Sequence, residues 1–298
     1  MKIAVYAAAS AAVLAAFAAA QPAAAQEAEI RNAVARVIVI PEDRTDIAVE
    51  ITPGSADLPQ LTVERRGDKV RIDGGLGRRR SVMQFSNDSI RSCNSGPANG
   101  RQPGDGATVE LRGKGRIRLE DAPLVVLRTP RTVDVNSGSG VYGAVGRGAR
   151  SVELGAGGCG AWTVANVDGR LEIGLGGSGT VRAGTSRSLE ASVGGSGSIF
   201  AGATGDLEAN VGGSGSIVVA SVNGPADVSI GGSGDVSIRG GRATSLEVAV
   251  AGSGNVSFDG TAASLEASIA GSGDVRVAEV TGPVSRSVVG SGEVHIGR

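Results

Sequence analysis

Histidine, cysteine and aromatic side chains are nearly missing from this 298-residue chain, which has one histidine, two cysteines and 2% aromatic residues. Zinc sites built from Cys and His, haem held by paired histidines, iron–sulfur clusters and Cys-x-x-Cys redox centres therefore lack their parts. Rings are too few for stacking on bases or sugars to be the main means of binding. Proline is sparse as well, with ten residues against 49 glycines, so the glycine content is not that of a collagen-like repeat. Neither charge dominates: 29 basic and 30 acidic side chains leave a net charge of -1, which gives no general attraction to nucleic acid. With 41% apolar residues but hardly any large ring, the interior must be narrow and filled by small aliphatics.

The one long apolar run stands at the start. Lys2, the run from Ile3 to Ala20, and Ala23-Ala24-Ala25 before Gln26 supply the charged, apolar and small-residue regions of a signal peptide over residues 1–25. An uncleaved anchor is the alternative reading of that run. No cysteine follows it to take a lipid, and past Gln26 no segment is apolar enough to span a membrane. The expectation is a chain exported through the inner membrane, placed in the periplasm or at the cell surface.

What the chain has in abundance is a repeat, the feature that decides its class. Gly-Ser-Gly recurs with its serine at 139, 178, 196, 214, 233, 253, 272 and 291, and Gly158-Cys159-Gly160 fills the one gap, giving a mean step of 19 residues. Apolar residues alternate on both sides of each centre. Leu189, Ala191 and Val193, or Leu207, Ala209 and Val211, precede it; Ile199 and Ala201, or Val236 and Ile238, follow it. Period-two alternation around a glycine corner reads as strand, turn, strand. A unit this short cannot bury its apolar edge alone, so neighbours must stack, which predicts an all-β solenoid: a parallel β-helix with rungs of about 19 residues. Val167, Val222 and Val280 are the expected inward residues of a third side. A leucine-rich horseshoe lacks its asparagine and helix, and an antiparallel β-sandwich remains an alternative. Nine rungs would make a rod roughly 43 Å long.

Residues 26–131 are less regular and read as first rungs or a capping layer, with apolar runs at Val37 to Ile40, Ile47 to Ile51, Leu61 to Val63 and Val70 to Ile72. Residues 74–106 have weak periodicity and many Gly, Asn, Ser and Arg, the composition of a long loop thrown out from one rung. Residues 132–298 form the regular Gly-Ser-Gly part, continuous with the rest as one domain. Cys93 in the loop and Cys159 at a corner are candidates for a disulfide in an exported chain. Alternatively, Cys159 merely replaces a corner serine and Cys93 is free.

The Gly-Ser-Gly corners followed by Asp-Val-Ser-Ile, Asn-Val-Ser-Phe or Asp-Val-Arg-Val resemble the head GIN domain family of autotransporter adhesins over about residues 34–298. The resemblance implies a right-handed parallel β-helix, similar in shape to pectin lyases but without their catalytic residues, and a role in cell adhesion. One departure is expected: with the sequence stopping at Arg298, no C-terminal membrane barrel is anticipated.

Catalysis finds little support in the residues themselves. A β-helix polysaccharide lyase needs clustered carboxylates for calcium and a nearby Arg or Lys base. The basic residues in the outward column after the corner, Arg182, Arg276 and His295, are several rungs apart. No Gly-x-Ser-x-Gly, Walker loop or Gly-Gly-x-Gly-x-Asp calcium repeat occurs. Stacked columns are the better prospect. The outward position six before the centre holds Glu153, Glu172, Glu190, Glu208, Asp227, Glu247 and Glu266, a ladder of like charges that could hold calcium weakly. Arg170 and Arg187 are the neighbouring cations that could neutralise it instead. A second polar column runs Thr180, Ser198, Ser216, Asp235, Asn255, Asp274, Glu293, with too little threonine for ice binding. The sequence thus points to a non-catalytic envelope or surface β-helix, with an anionic polysaccharide or a cell-surface protein as partner and no cofactor beyond calcium. A periplasmic polysaccharide-processing enzyme is the alternative.

Overall fold

The computed structural model describes residues 26–77, 89–97 and 102–297, so the signal-peptide reading of residues 1–25 lies outside the described residues. From residue 151 onward each turn of chain lays down one strand before its glycine corner and one after it. Strands before the corner pair only in parallel, in an unbroken series from Ser151–Ala156 through Arg170–Leu175, Ser188–Val193, Asp206–Val211, Pro225–Ile230, Ser245–Gly252 and Leu265–Gly271 to Val284–Gly290. Those after it stack in the same way from Ala161–Val164 to Val294–Ile296. The protein is therefore a parallel β-helix, and its rungs follow the 19-residue period of the sequence.

The alternation decides which side chains face inward. Leu189, Ala191 and Val193 lie level with Leu207, Ala209 and Val211 on the next rung, and all six are buried in one continuous core. Val167 and Val222 close the third side, while Val280 is half-buried close to the C-terminal end. Small aliphatics suit this interior because two strands and a short return leave room for a ring only where its neighbour is small. Gly143 makes the point: a Cβ there would come within 2.3 Å of the buried Trp162 ring on the neighbouring rung. At the corners, glycine is required by close approach of the preceding rung. A Cβ on Gly195 or Gly215 would stand 2.4 Å from the carbonyl oxygen of Gly177 or Gly197.

The N-terminal part differs from the expectation in three ways. Strand β1 (Glu27–Glu42) begins well before the first apolar run at Val37. After it come β2 (Ala48–Thr52), β3 (Thr62–Arg66), β4 (Lys69–Asp73), β5 (Ile90–Asn94), β6 (Thr108–Leu111), β7 (Gly115–Arg118), β8 (Leu124–Pro130) and β9 (Thr132–Val145). Although first in sequence, β1 is not first in the stack. It lies between β9 on one side and β4 with β8 on the other, all parallel. Among the described residues only β2 on β8 and β3 on β4 are antiparallel in this sheet, and they cover the N-terminal edge. Long-range pairing of this kind leaves no local trace in sequence.

Second, the described part of residues 74–106 includes one strand, β5, which pairs with β6, and β6 with β7, in an antiparallel sheet of three strands. Its side chains Val109 and Leu111 join Leu119, Val34 and Tyr142 in a second small core against the corner of the first rungs. Cys93 on β5 and Cys159 at the corner form a disulfide with a Cα–Cα distance of 5.8 Å. It closes a span of 66 residues, worth up to ~4 kcal/mol in the chain-entropy account. Third, the first Gly-Ser-Gly is not a turn between two strands. β9 runs straight through it, with Ser139 in the left-handed region at φ 75°.

Candidate ligand-binding faces

Register turns the outward positions before the corner into a column. Glu153, Glu172, Glu190, Glu208, Asp227, Glu247 and Glu266 are direct neighbours on seven successive strands. The column is longer than the sequence suggested, because Glu153 lies level with Asp134, Asp134 with Glu27, and Glu27 with Lys69. Glu27 escapes the repeat alignment because β1 lies outside the Gly-Ser-Gly repeats, and Asp134 escapes it by one place. Rungs β9 and Ser151–Ala156 are in register at a 19-residue offset, whereas the motif centres Ser139 and Cys159 are 20 apart. Counting six places back from Ser139 gives Val133 and misses Asp134 by one.

The column divides electrostatically. At its N-terminal end cations are built in: Lys69 pairs with Glu27, and Arg170 donates to both Glu172 and Glu190. Asn136 donates to Glu27 and Asp134 at 3.4 and 3.3 Å. Even so, burial, reinforced by the charges of Glu153 and Glu27, pushes the Asp134 carboxyl up to about 6. Towards the other end, Glu208, Asp227, Glu247 and Glu266 have no salt bridge among the described residues. Glu190, Glu208, Asp227, Glu247 and Arg170 border an open groove of about 440 Å³. Arg187, the other cation expected near the column, makes no ion pair among the described residues.

Among the described residues no three acidic, histidine or cysteine side chains converge on a point that could hold a metal ion. Any cation on the column would thus sit between neighbouring carboxylates and water. The second polar column has a different use. Side-chain oxygens of Asp235, Asn255 and Asp274 accept the backbone N–H of Asn255, Asp274 and Glu293 at 3.0–3.1 Å, so they knit rung to rung. In the earlier rungs the Ser216 hydroxyl donates to that of Ser198 at 3.0 Å.

Beyond the corner the expected separation holds only for Arg182: Arg276 and His295, one 19-residue step apart, are direct neighbours on adjoining strands. One residue that sequence reasoning passed over lies in their column. Phe200 is the aromatic ring that the described rungs expose, and Arg182 lies over it at 5.3 Å from the ring centre. Its outward phase, four places after Ser196, was the available signal, since a ring there has no part in the core.

Residues 201–297 match the family described as "Putative auto-transporter adhesin, head GIN domain". The fold is similar to that of a crystal structure titled putative adhesin from Parabacteroides distasonis ATCC 8503, at 18% identity and a TM-score of 0.50, over 91% of this chain and 92% of that one. A second crystal structure, of a protein from the same organism titled putative lipid binding protein, aligns at 19% identity and a TM-score of 0.45, over 92% and 93% of the two chains. Among curated proteins none matches the sequence. The head GIN resemblance read from the Gly-Ser-Gly corners thus holds for the C-terminal rungs. No helix among the described residues is long and apolar enough to cross a membrane.

Proposed function

We propose that the chain is a non-catalytic, exported envelope or surface rod that acts as an adhesin, holding anionic polysaccharides or surface proteins on its outward columns. The observation that carries this reading is the acidic column, whose members from Glu208 to Glu266 face solvent on successive rungs without salt bridges among the described residues. Carboxylates one rung apart, ~4.8 Å, repel one another and draw cations between them. Calcium shared by two neighbours, with water completing its shell, would then link the rod to an anionic polymer. Millimolar affinity is expected of so open a site. The family match over residues 201–297 supports the adhesive role. The alternative, a lyase-like enzyme, would need a base beside carboxylates clustered for calcium; Arg276 and His295 are neighbours on adjoining rungs, but among the described residues no three acidic, histidine or cysteine side chains gather beside them.

A screen of the purified protein against acidic polysaccharides, with calcium and with chelator, tests the proposal. Calcium-dependent retention without unsaturated, ultraviolet-absorbing product is the expected result, and appearance of that product would establish a lyase instead. Immunogold labelling of intact cells tests the export that the N-terminal segment suggests.

A further inference from the structure

The face after the corner carries a second arrangement, opposite in charge to the acidic column. Thr163, Arg182, Phe200 and Val218 occupy one outward column on four successive rungs, paired in register. The Arg182 guanidinium lies over the Phe200 ring and has no carboxylate partner among the described residues. It also lines a groove of about 110 Å³ whose floor is Gly143, Ala144 and Thr163 and whose opposite wall comes from Gln102 to Asp105. The Asp105 carboxylate in that wall accepts the Gln102 backbone N–H at 2.9 Å and is engaged in its own turn. The disulfide from Cys93 to Cys159 fastens the antiparallel sheet beside this wall to the rungs.

Each element has a chemical consequence. An arginine with a free fork offers parallel N–H donors that match a carboxylate bidentately, and stacking on a ring holds the guanidinium plane in place. A cation seated on an aromatic ring at the surface has no part in the hydrophobic core, whose rings, Tyr142, Trp162 and Phe258, are all buried. The groove has room for about three or four waters, hence for one acid group and the edge of one sugar ring. Phe200 and Val218, the next outward residues, continue from it as a small apolar strip one and two rungs along. A uronic acid unit has that same layout, a planar carboxylate at one end and an apolar C–H face beside it.

We propose that Arg182 and Phe200, with Thr163 and Gln102 at the groove, form a subsite for the uronate residues of an acidic polysaccharide. Arg182 takes the carboxylate, and Phe200 carries the C–H face of the sugar. The subsite rests on the glycan-binding reading above but requires no calcium, which separates it from the acidic column.

The test is equilibrium binding of the purified protein to immobilised polygalacturonate in chelator, with dextran sulfate and neutral dextran as comparison polymers. Wild type should be retained on polygalacturonate and not on dextran. Arg182→Gln should weaken binding about tenfold, Arg182→Lys nearly as much because one ammonium cannot replace the fork, and Phe200→Leu several-fold. Both positions are exposed, and unchanged melting temperatures will establish that the variants fold. Wild-type retention by Arg182→Gln would overturn the subsite while leaving a calcium-bridged adhesin intact. Absence of wild-type binding in chelator, or equal retention on dextran sulfate, would overturn the uronate assignment. Should calcium restore binding in the first of these cases, the column reading stands and the subsite falls.

Discussion

At Asp134 burial and like charge act in the same direction. Its carboxyl is half-buried in the column between Glu27 and Glu153, and Lys69 only partly offsets them. The folded-state value of about 6 lies above the ordinary 3.8, so the native state binds a proton more readily than the unfolded chain. The contribution of Asp134 to stability is therefore most favourable below about pH 4 and is lost as pH rises through about 6. Asp134→Asn keeps the shape and removes the charge. We expect it to raise stability at pH 7 by about 1 kcal/mol, allowing for solvent screening of a half-exposed group, with the gain disappearing near pH 4. Thermal unfolding of the two proteins across that range checks this; a variant less stable than wild type at pH 7 would contradict it. Asp134 was hidden from the sequence reading by one residue of register, whereas Glu153 to Glu266 were legible because the register and the motif spacing agree there.

Among the elements, the regular strands were legible and their N-terminal partners were not. Leu207, Ala209 and Val211 alternate with polar residues in one short run, so the inward face is written locally. The place of β1 between β8 and β9 depends on pairings some 90 residues apart in sequence, which no periodicity records. The strand β5 was masked by the polar composition of its surroundings, and its buried contacts come from β6 and β9 rather than from an alternating run of its own. A direct check of the inward assignment is Val211→Asp. Val211 is buried between Val193 and Ile230 on the adjoining rungs, so a carboxylate there has no partner and no water. It should cost about 3–5 kcal/mol or prevent folding, because the charge is buried unpaired. By contrast, Asn210→Asp, on the outward phase of the same strand, should change stability by less than about 1 kcal/mol. Equal melting temperatures for the two variants would contradict the rung alignment.

Across the whole molecule, the rod has an acidic column before the corner and an arginine–phenylalanine groove after it, on a core that is purely structural. The acidic column also bears on stability. Arg170 already neutralises Glu172 and Glu190, so strain should concentrate beyond them. Replacing Glu208, Glu247 and Glu266 together by glutamine should raise the melting temperature in chelator and remove any rise on adding calcium. A lower melting temperature in chelator would mean that the column is not under repulsion. The central claim is that outward columns bind a polymer which no group of the rod cleaves. Its most direct test is prolonged incubation with an acidic polysaccharide the protein retains, following the chain length of the polymer. The account predicts bound polymer of unchanged length. Progressive shortening, with or without unsaturated ends, would contradict it.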